Sequence, residues 1–530
     1  MPVKFADQAE NAYRYPLLIS QLLSRVDQHG DRHIVSEGQT FSYHDLQARV
    51  GRLANALSGM GIEPGMTVAV MNWDDHRYLE CYFAIPMMGA VLQTVNVRLS
   101  PQQILYTMRH SGAVALIYHP DFADLVDILR PDLPDLRIVV PIAENGSAPS
   151  YDALLAAQDQ TFDFQDFDEN AIATTFHTTG TTGDPKAVAF SHRQIVLHTL
   201  AFATALANQP DGQAFRADDV YMPMTPMFHV HAWGLPYVAT LLGAQQIYPS
   251  RYDPVRLVAL QREHGVTFSH CVPTILQMIL DQLQGTPVKT PWTMVIGGSS
   301  LPATLADRAA RHNIHAIAGY GMSETGPVIS LARSGNATVE DGASRAGFPI
   351  PLVQVQLRGD TTAELEVRAP WLTQGYVGND AASAELWHGG WLHTQDIAEQ
   401  DVDGAIRIVD RLKDVIKTGG EWVSSAVLED YTIRHPAIAE AAFVGVPDDQ
   451  WGERPFGAIV LRPNQPAVSL DDIRTHLRPF CEAGHLSRYA LPDGILIVAA
   501  LPKTSVGKID KKALRKQIGE TRSAAITPAT

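Results

Sequence analysis

The chain changes its hydrophobic period again and again, and that alternation limits its folding more than anything else in it. Ser42 is followed three residues later by Asp45, a capping box with Asp in the Glu position, and Leu46, Val50, Leu53, Ala54 and Leu57 then recur at helical spacing. A strand pattern follows at Thr67 to Met71, then a helical stretch from about His76 to Met88, a strand at Ala90 to Val95, a helix opening at Pro101 and a strand at Val114 to Tyr118. The same texture returns between Val188 and Ala318. Parallel strands need a crossover, and a crossover helix buries its apolar stripe on the sheet face. The spacing therefore predicts an α/β fold of sheets covered by helices.

At 530 residues the chain exceeds one ordinary hydrophobic core. Near residue 397 the texture changes: Ile397 to Glu399 and Ala405 to Val409 flank an acidic turn containing Asp403-Gly404, a hairpin signal, and the charged run Asp410 to Asp414 follows. We expect a large N-terminal domain over 1–410, of parallel and mixed sheets covered by helices, and a small α+β C-terminal domain over 411–530. The latter should close with a basic helix at Lys511 to Lys516 and fray after Glu520.

A formal net charge of -16 argues against a general nucleic-acid or anionic-membrane binder, because such proteins present a basic face to phosphates. Cys81, Cys271 and Cys481 are too far apart for a zinc knuckle or a disulfide framework, which fits a reducing, cytoplasmic setting. The opening residues carry no apolar signal region, and no run approaches the ~20 apolar residues of a spanning helix. The longest candidate, Ile495 to Leu501, reads as a buried strand.

The most informative segment is His177-Thr178-Thr179-Gly180-Thr181-Thr182-Gly183-Asp184-Pro185-Lys186, which follows a strand-like run, Ile172 to Phe176. Its glycines let the backbone approach an anion, its threonines offer hydroxyls and its lysine a positive charge. These are the parts of a phosphate cradle, though composition alone also fits an ordinary surface loop. A Walker-type loop is excluded, since Lys186 stands three residues beyond Gly183 and is followed by Ala187.

This loop resembles the phosphate-binding motif of the adenylate-forming superfamily, which includes acyl-CoA synthetases, peptide-synthetase adenylation domains and beetle luciferases. Four further segments repeat the likeness in the same order. Gly319-Tyr320-Gly321-Met322-Ser323-Glu324-Thr325 is similar to the second nucleotide motif, which implies that Ser323 touches the α-phosphate and Glu324 holds Mg2+. His393-Thr394-Gln395-Asp396 resembles the Thr-Gly-Asp signature, in which Asp396 would accept the ribose hydroxyls; Gln395 stands where the family has glycine, and would crowd the ribose or demand a backbone shift. Ala187 likewise replaces a glycine usual after the lysine. Asp410 to Trp422 resembles the hinge and coenzyme A segment, which implies Arg411 on the nucleotide, Lys413 as hinge, and Gly419, Gly420 and Trp422 beside the pantetheine channel. Pro502 to Lys511 resembles the final motif, whose lysine, here Lys508, neutralises the reacting carboxylate and α-phosphate.

Pro226-Met227-Phe228-His229-Val230-His231-Ala232-Trp233-Gly234 resembles the acyl-pocket segment of medium- and long-chain fatty acyl-CoA synthetases and of enzymes acting on short sulfur-containing acids. Trp233 would gate the acyl tunnel, with His229 and Val230 on its wall and Gly297-Gly298 on the other. At i,i+2 the two histidines would share one strand face, a start toward a metal site, but no third ligand is evident nearby. The resemblance implies an ATP-dependent ligase with a mobile small domain, forming acyl-AMP through Thr178, Lys186, Glu324 and Lys508 and passing the acyl group to coenzyme A. Mg2+ as cofactor and a homodimer are also implied. An adenylating enzyme with another acceptor, or a weakened homologue that only binds, are the alternatives left standing.

Overall fold

The structure is a computed structural model; it describes residues 3–4, 6–7, 9–143, 149–178, 184–333, 345–358, 362–419, 421–463, 465–503 and 509–526, with side chains to Thr521. Among these residues the strands form three sheets. The first runs Ile138–Pro141, Ala113–Tyr118, Thr67–Met71, Val91–Thr94, Ile172–Thr178 and Lys186–Ser191; all pairs are parallel except the last. The helices between them start where the sequence signals a start. Ser42 and Asp45 make a reciprocal capping box on Tyr43–Gly59, and Ser100 and Gln103 make another ahead of Pro101 on Pro101–Ser111. Each such cap contributes about 1 kcal/mol by satisfying amides the helix cannot pair itself.

The second sheet has fourteen strands. Its middle is parallel, through Ile314–Tyr320, Trp292–Ile296, Phe268–Cys271, Val220–Pro223, Gln245–Tyr248 and His33–Ser36. Beyond Ile314–Tyr320 it turns antiparallel, and the hairpin around Asp403-Gly404 joins it there as Trp391–Gln400 against Ile406–Arg411. The third sheet is built from Glu421–Val423, Ile416–Thr418, Gly452–Leu461, Ile438–Asp448 and Gly494–Ile497.

Buried apolar residues from Ile19 to Ile406 form one connected core between the first two sheets and their helices, with a satellite around Ile104, Leu116 and Val126. From Ile416 onward, buried apolar residues pack among themselves around Phe443, Ile459 and Leu477, and around Val444, Leu501 and Leu514. Two expectations need correction. The run at Ile495 to Leu501 yields only the four-residue strand Gly494–Ile497, and Ile497 is exposed, because it pairs at one margin of the sheet with Gly452–Leu461. The last helix continues past Glu520 to Ile526, its apolar positions Leu514 and Ile518 being buried. Among the described residues no helix is long and apolar enough to cross a membrane.

Candidate active site

The strand Ile172–Thr178 is buried along most of its length and turns back antiparallel into Lys186–Ser191, with Thr178 opposite Lys186. The hairpin thus closes the phosphate-loop segment at its base; Thr179, Gly180, Thr181, Thr182 and Gly183 lie outside the described residues. Beside Thr178, burial and then its neighbour His110 push His177 down to about 3, so its ring is neutral at neutral pH. Lys186, opposite Thr178, has its Nζ 4.7 Å from the centroid of the Tyr376 ring. The Tyr376 hydroxyl donates to Glu324 Oε1 at 2.7 Å. Burial and the adjacent carboxylate push that phenol well up, which keeps it protonated and a donor.

Glu324 sits in a short turn, Ser323–Thr325, just beyond the strand Ile314–Tyr320. Gly321 makes the turn possible: a Cβ there would lie 1.7 Å from the Pro327 carbonyl oxygen, a distance no side chain tolerates. The Met322 amide donates to Thr325 Oγ1 at 2.9 Å and leaves Ser323 half-buried at the rim. From the strand end, the Tyr320 hydroxyl donates to Asp396 Oδ2 at 2.6 Å, and Arg411 Nε lies 3.4 Å from Asp396 Oδ1. Contacts therefore run from Arg411 through Asp396 to Tyr320, and from Glu324 through Tyr376 to Lys186.

Gln395 does not crowd Asp396. Its backbone takes φ +58°, the left-handed conformation glycine would supply, while its side chain is exposed. Its amide donates to Glu364 Oε1 at 2.9 Å and its carbonyl accepts from Leu412 at 2.9 Å. Ala187 is buried in its strand, and its carbonyl accepts from the Val377 amide at 2.9 Å.

The acyl segment is not a strand. Val230, His231, Ala232 and Trp233 have φ of 48°, 53°, 47° and 57°, four successive left-handed residues, so the shared strand face expected of His229 and His231 does not exist. Three straps hold the segment: Asp74 Oδ1 accepts from the Met227 amide at 2.8 Å, the Tyr82 hydroxyl donates to the Met227 carbonyl, and Thr94 Oγ1 donates to the Phe228 carbonyl at 3.0 Å. His231 Nε2 meets Thr174 Oγ1 at 2.8 Å, and burial pushes its ring down to about 3. Among the described residues the histidine, cysteine and carboxylate side chains close enough to share a metal are Glu37, Asp75 and His76, not His229 or His231. Arg77 already pairs with both of those carboxylates.

Trp233 is 6% exposed and packs on Gly297, where a Cβ would lie 3.1 Å from its ring and 3.0 Å from the Gly319 carbonyl. Gly298, at φ +81°, turns the chain away. The acyl and nucleotide segments therefore meet at Gly297 and Gly319. Behind the turn, a cavity of about 30 Å³ lined by Val230, His231, His198, Phe190 and Trp371 has room for a water or two.

In the third sheet, Gly419 has φ +60° and faces the Trp451 and Tyr489 rings, which a Cβ would approach to 3.0 and 3.5 Å. Trp422 is 50% exposed. Arg515, on the last helix, donates to the Lys413 carbonyl at 2.9 Å and pairs with Asp414 at 2.8 Å. Gly420 and Lys508 lie outside the described residues.

Comparison with known proteins agrees with this geometry along the chain. The profile of the AMP-binding enzyme family matches residues 22–377, and that of the AMP-binding enzyme C-terminal domain matches residues 428–508. The chain belongs to the AMP-binding enzyme family. Its class is that of AMP-forming acid–thiol ligases, which activate a carboxylic acid as an acyl-adenylate and transfer the acyl group to coenzyme A. This AMP-binding enzyme is 38% identical to a long-chain-fatty-acid–CoA ligase of Thermus thermophilus, over 92% of its own length and 93% of the relative's. It is 33% identical to a 3-methylmercaptopropionyl-CoA ligase of Ruegeria lacuscaerulensis, over 95% and 97%. Its fold matches that of the anthranilate CoA ligase AuaEII in complex with anthranoyl-AMP, with a TM-score of 0.85 at 23% identity over 95% and 98% of the two chains.

The side chain that sequence reasoning missed in this AMP-binding enzyme is Tyr376. It falls in Gln374-Gly375-Tyr376, a run without charge or period, and only the folded chain carries it between Glu324 and Lys186.

Proposed function

We propose that the enzyme activates a fatty acid of medium or long chain, and that the residues assembled around Gly297 and Gly319 do this work. The observation that carries the reading is the meeting of an uncharged acyl wall with the nucleotide residues: Trp233 packs on Gly297 beside the Gly319 carbonyl, one residue from Tyr320. Met227, Phe228, Val230 and Trp233 are buried there, and burial holds His231 and His270 neutral. Such a wall suits an aliphatic tail, whose transfer contributes ~0.8 kcal/mol per buried CH2.

In the first half-reaction Asp396 accepts the ribose hydroxyls and Arg411 lies beside it. Thr178, the loop Thr179–Gly183 and Lys186 take the phosphates, and Ser323 takes the α-phosphate. Lys508 is delivered by the C-terminal domain, here 411–530, to neutralise two anions brought together. Glu324 fits a magnesium ion: it is a buried hard oxygen donor, one carboxylate oxygen is held by Tyr376, and among the described residues the other has no partner. Bound Mg2+ would shield the phosphate charge that opposes carboxylate attack. The small domain then turns about Lys413 and brings Gly419, Gly420 and Trp422 to the coenzyme A thiol. The unpaired Cys81, Cys271 and Cys481 support a cytoplasmic setting.

The likeness to a methylmercaptopropionyl-CoA ligase favours a short sulfur-containing acid as the second reading. Incubation with MgATP, coenzyme A and acids from short to long chain, 3-(methylthio)propionate included, separates the two when AMP and acyl-CoA are followed by mass spectrometry. Highest kcat/KM with a C8–C18 acid, with adenylation lost in Lys508→Ala, supports the proposal. Preference for the sulfur acid supports the second reading, and acyl-AMP without acyl-CoA points to another acceptor.

A further inference from the structure

Glu324 and Lys186 carry opposite charges and share one neighbour, yet among the described residues no ion pair joins them. What stands between is Tyr376: its hydroxyl donates to Glu324 Oε1 at 2.7 Å and its ring face receives Lys186 Nζ at 4.7 Å from the centroid. A direct Lys–Glu pair would cancel the two charges the reaction needs, one for phosphate and one for a metal ion. A phenol inserted between them gives each a neutral partner, a hydrogen bond for the carboxylate and a quadrupole for the ammonium.

Tyr376 is itself held. Its amide donates to Ser383 Oγ at 2.9 Å, and it bridges to Val188 on the phosphate hairpin while Val377 donates to the Ala187 carbonyl at 2.9 Å. Three residues earlier, the Thr373 amide donates to the Glu324 carbonyl at 3.0 Å. One short segment is thus pinned on one side to the strand that bears Lys186 and on the other to the turn that bears Glu324.

The geometry points to Tyr376 as a positioning residue that keeps Lys186 and Glu324 apart and separately aimed, the phenol hydroxyl serving the metal carboxylate and the ring serving the phosphate lysine. This rests on the roles proposed above for Lys186 and Glu324. The two halves of the side chain separate by substitution in the full-length protein: Tyr376→Phe removes the hydroxyl and keeps the ring, and Tyr376→Leu removes both.

ATP affinity in EDTA, read by isothermal titration calorimetry, reports on Lys186 without metal or turnover. The Mg2+ concentration giving half-maximal pyrophosphate release reports on Glu324. Tyr376→Phe should raise the half-saturating Mg2+ roughly tenfold and leave metal-free ATP affinity within about twofold of wild type. Tyr376→Leu should also weaken metal-free ATP binding roughly fivefold. Thermal midpoints near that of the wild type show that both variants fold. An unchanged Mg2+ requirement in Tyr376→Phe overturns the inference, as does equal metal-free ATP affinity in the two variants. A wild type that forms no acyl-AMP from any acid defeats the functional reading instead, and the calorimetric comparison still judges Tyr376.

Discussion

Asp396 lies directly across from Arg411 on neighbouring antiparallel strands, and their side chains approach to 3.4 Å while Tyr320 donates to the carboxylate's other oxygen. The carboxylate is buried at 4% exposure and is the acceptor for both groups. Asp396→Asn keeps the shape and removes the charge. Losing a charged hydrogen bond of about 1.5–3 kcal/mol should weaken ATP binding by roughly 10- to 150-fold, with a smaller effect on the acid's KM. Calorimetric titration with ATP measures this, and wild-type affinity in the variant would remove Asp396 from the ribose.

Gln395 pays a left-handed penalty of about 1–2 kcal/mol that glycine would not, partly offset by glycine's freer unfolded chain. Gln395→Gly should therefore leave stability equal or raise it by up to about 1 kcal/mol, whereas Gln395→Val should lower it. Thermal midpoints of the three proteins decide the matter; a clear drop for glycine would mean that the exposed side chain contributes more than its backbone costs.

Burial pushes His270 down to about 3, against 6.5 when unfolded. Between those values the unfolded chain binds the extra proton, so the stability this neutral ring contributes is whole above pH 6.5 and is lost as pH falls toward 3. Asp74 and Asp75, raised by burial to about 7, act with the opposite sign over part of that range, so the clean readout is a difference between proteins. The stability gap between wild type and His270→Phe should change by about 1.4 kcal/mol per pH unit below 6.5, in favour of the variant. Urea unfolding at pH 7.5, 6.0 and 5.0 measures it; parallel curves would mean the ring is charged when folded.

Lys413→Pro restricts rotation where the chain leaves the strand Ile406–Arg411, and Arg515 holds the Lys413 carbonyl from the last helix. One half-reaction should fall at least 100-fold while the other keeps most of its rate. Pyrophosphate release and the conversion of supplied acyl-AMP to acyl-CoA are measured separately, and equal losses in both would displace the hinge.

Much of the frame was legible because periodicity and caps are local. Ser42 with Asp45 marks a helix start by satisfying its first amides, and Pro101 marks another by lacking one; the structure begins helices at both, and adds a Ser100–Gln103 box ahead of the second. The phosphate hairpin was half legible: the strand before the loop was plain from the strand-like run Ile172 to Phe176, but the return strand from Lys186 was not, since pairing Thr178 with Lys186 is a property of register. The turn at Val230 to Trp233 was misread as extended because apolar residues alternating with histidines imitate a strand, and nothing local announces four left-handed residues. Tyr376 was invisible for a different reason, its meaning being wholly tertiary.

That left-handed turn behaves as a loaded spring. Each of its four side-chain-bearing residues sits roughly 1–2 kcal/mol above its relaxed conformation, and the catch is the trio of straps from Asp74, Tyr82 and Thr94. Asp74 follows one strand of the first sheet and Thr94 ends another, whereas Gly297, under Trp233, directly follows a strand of the second. The wall is therefore strapped to one sheet and its indole rests on the other, so it spans the seam between the two at Gly297 and Gly319.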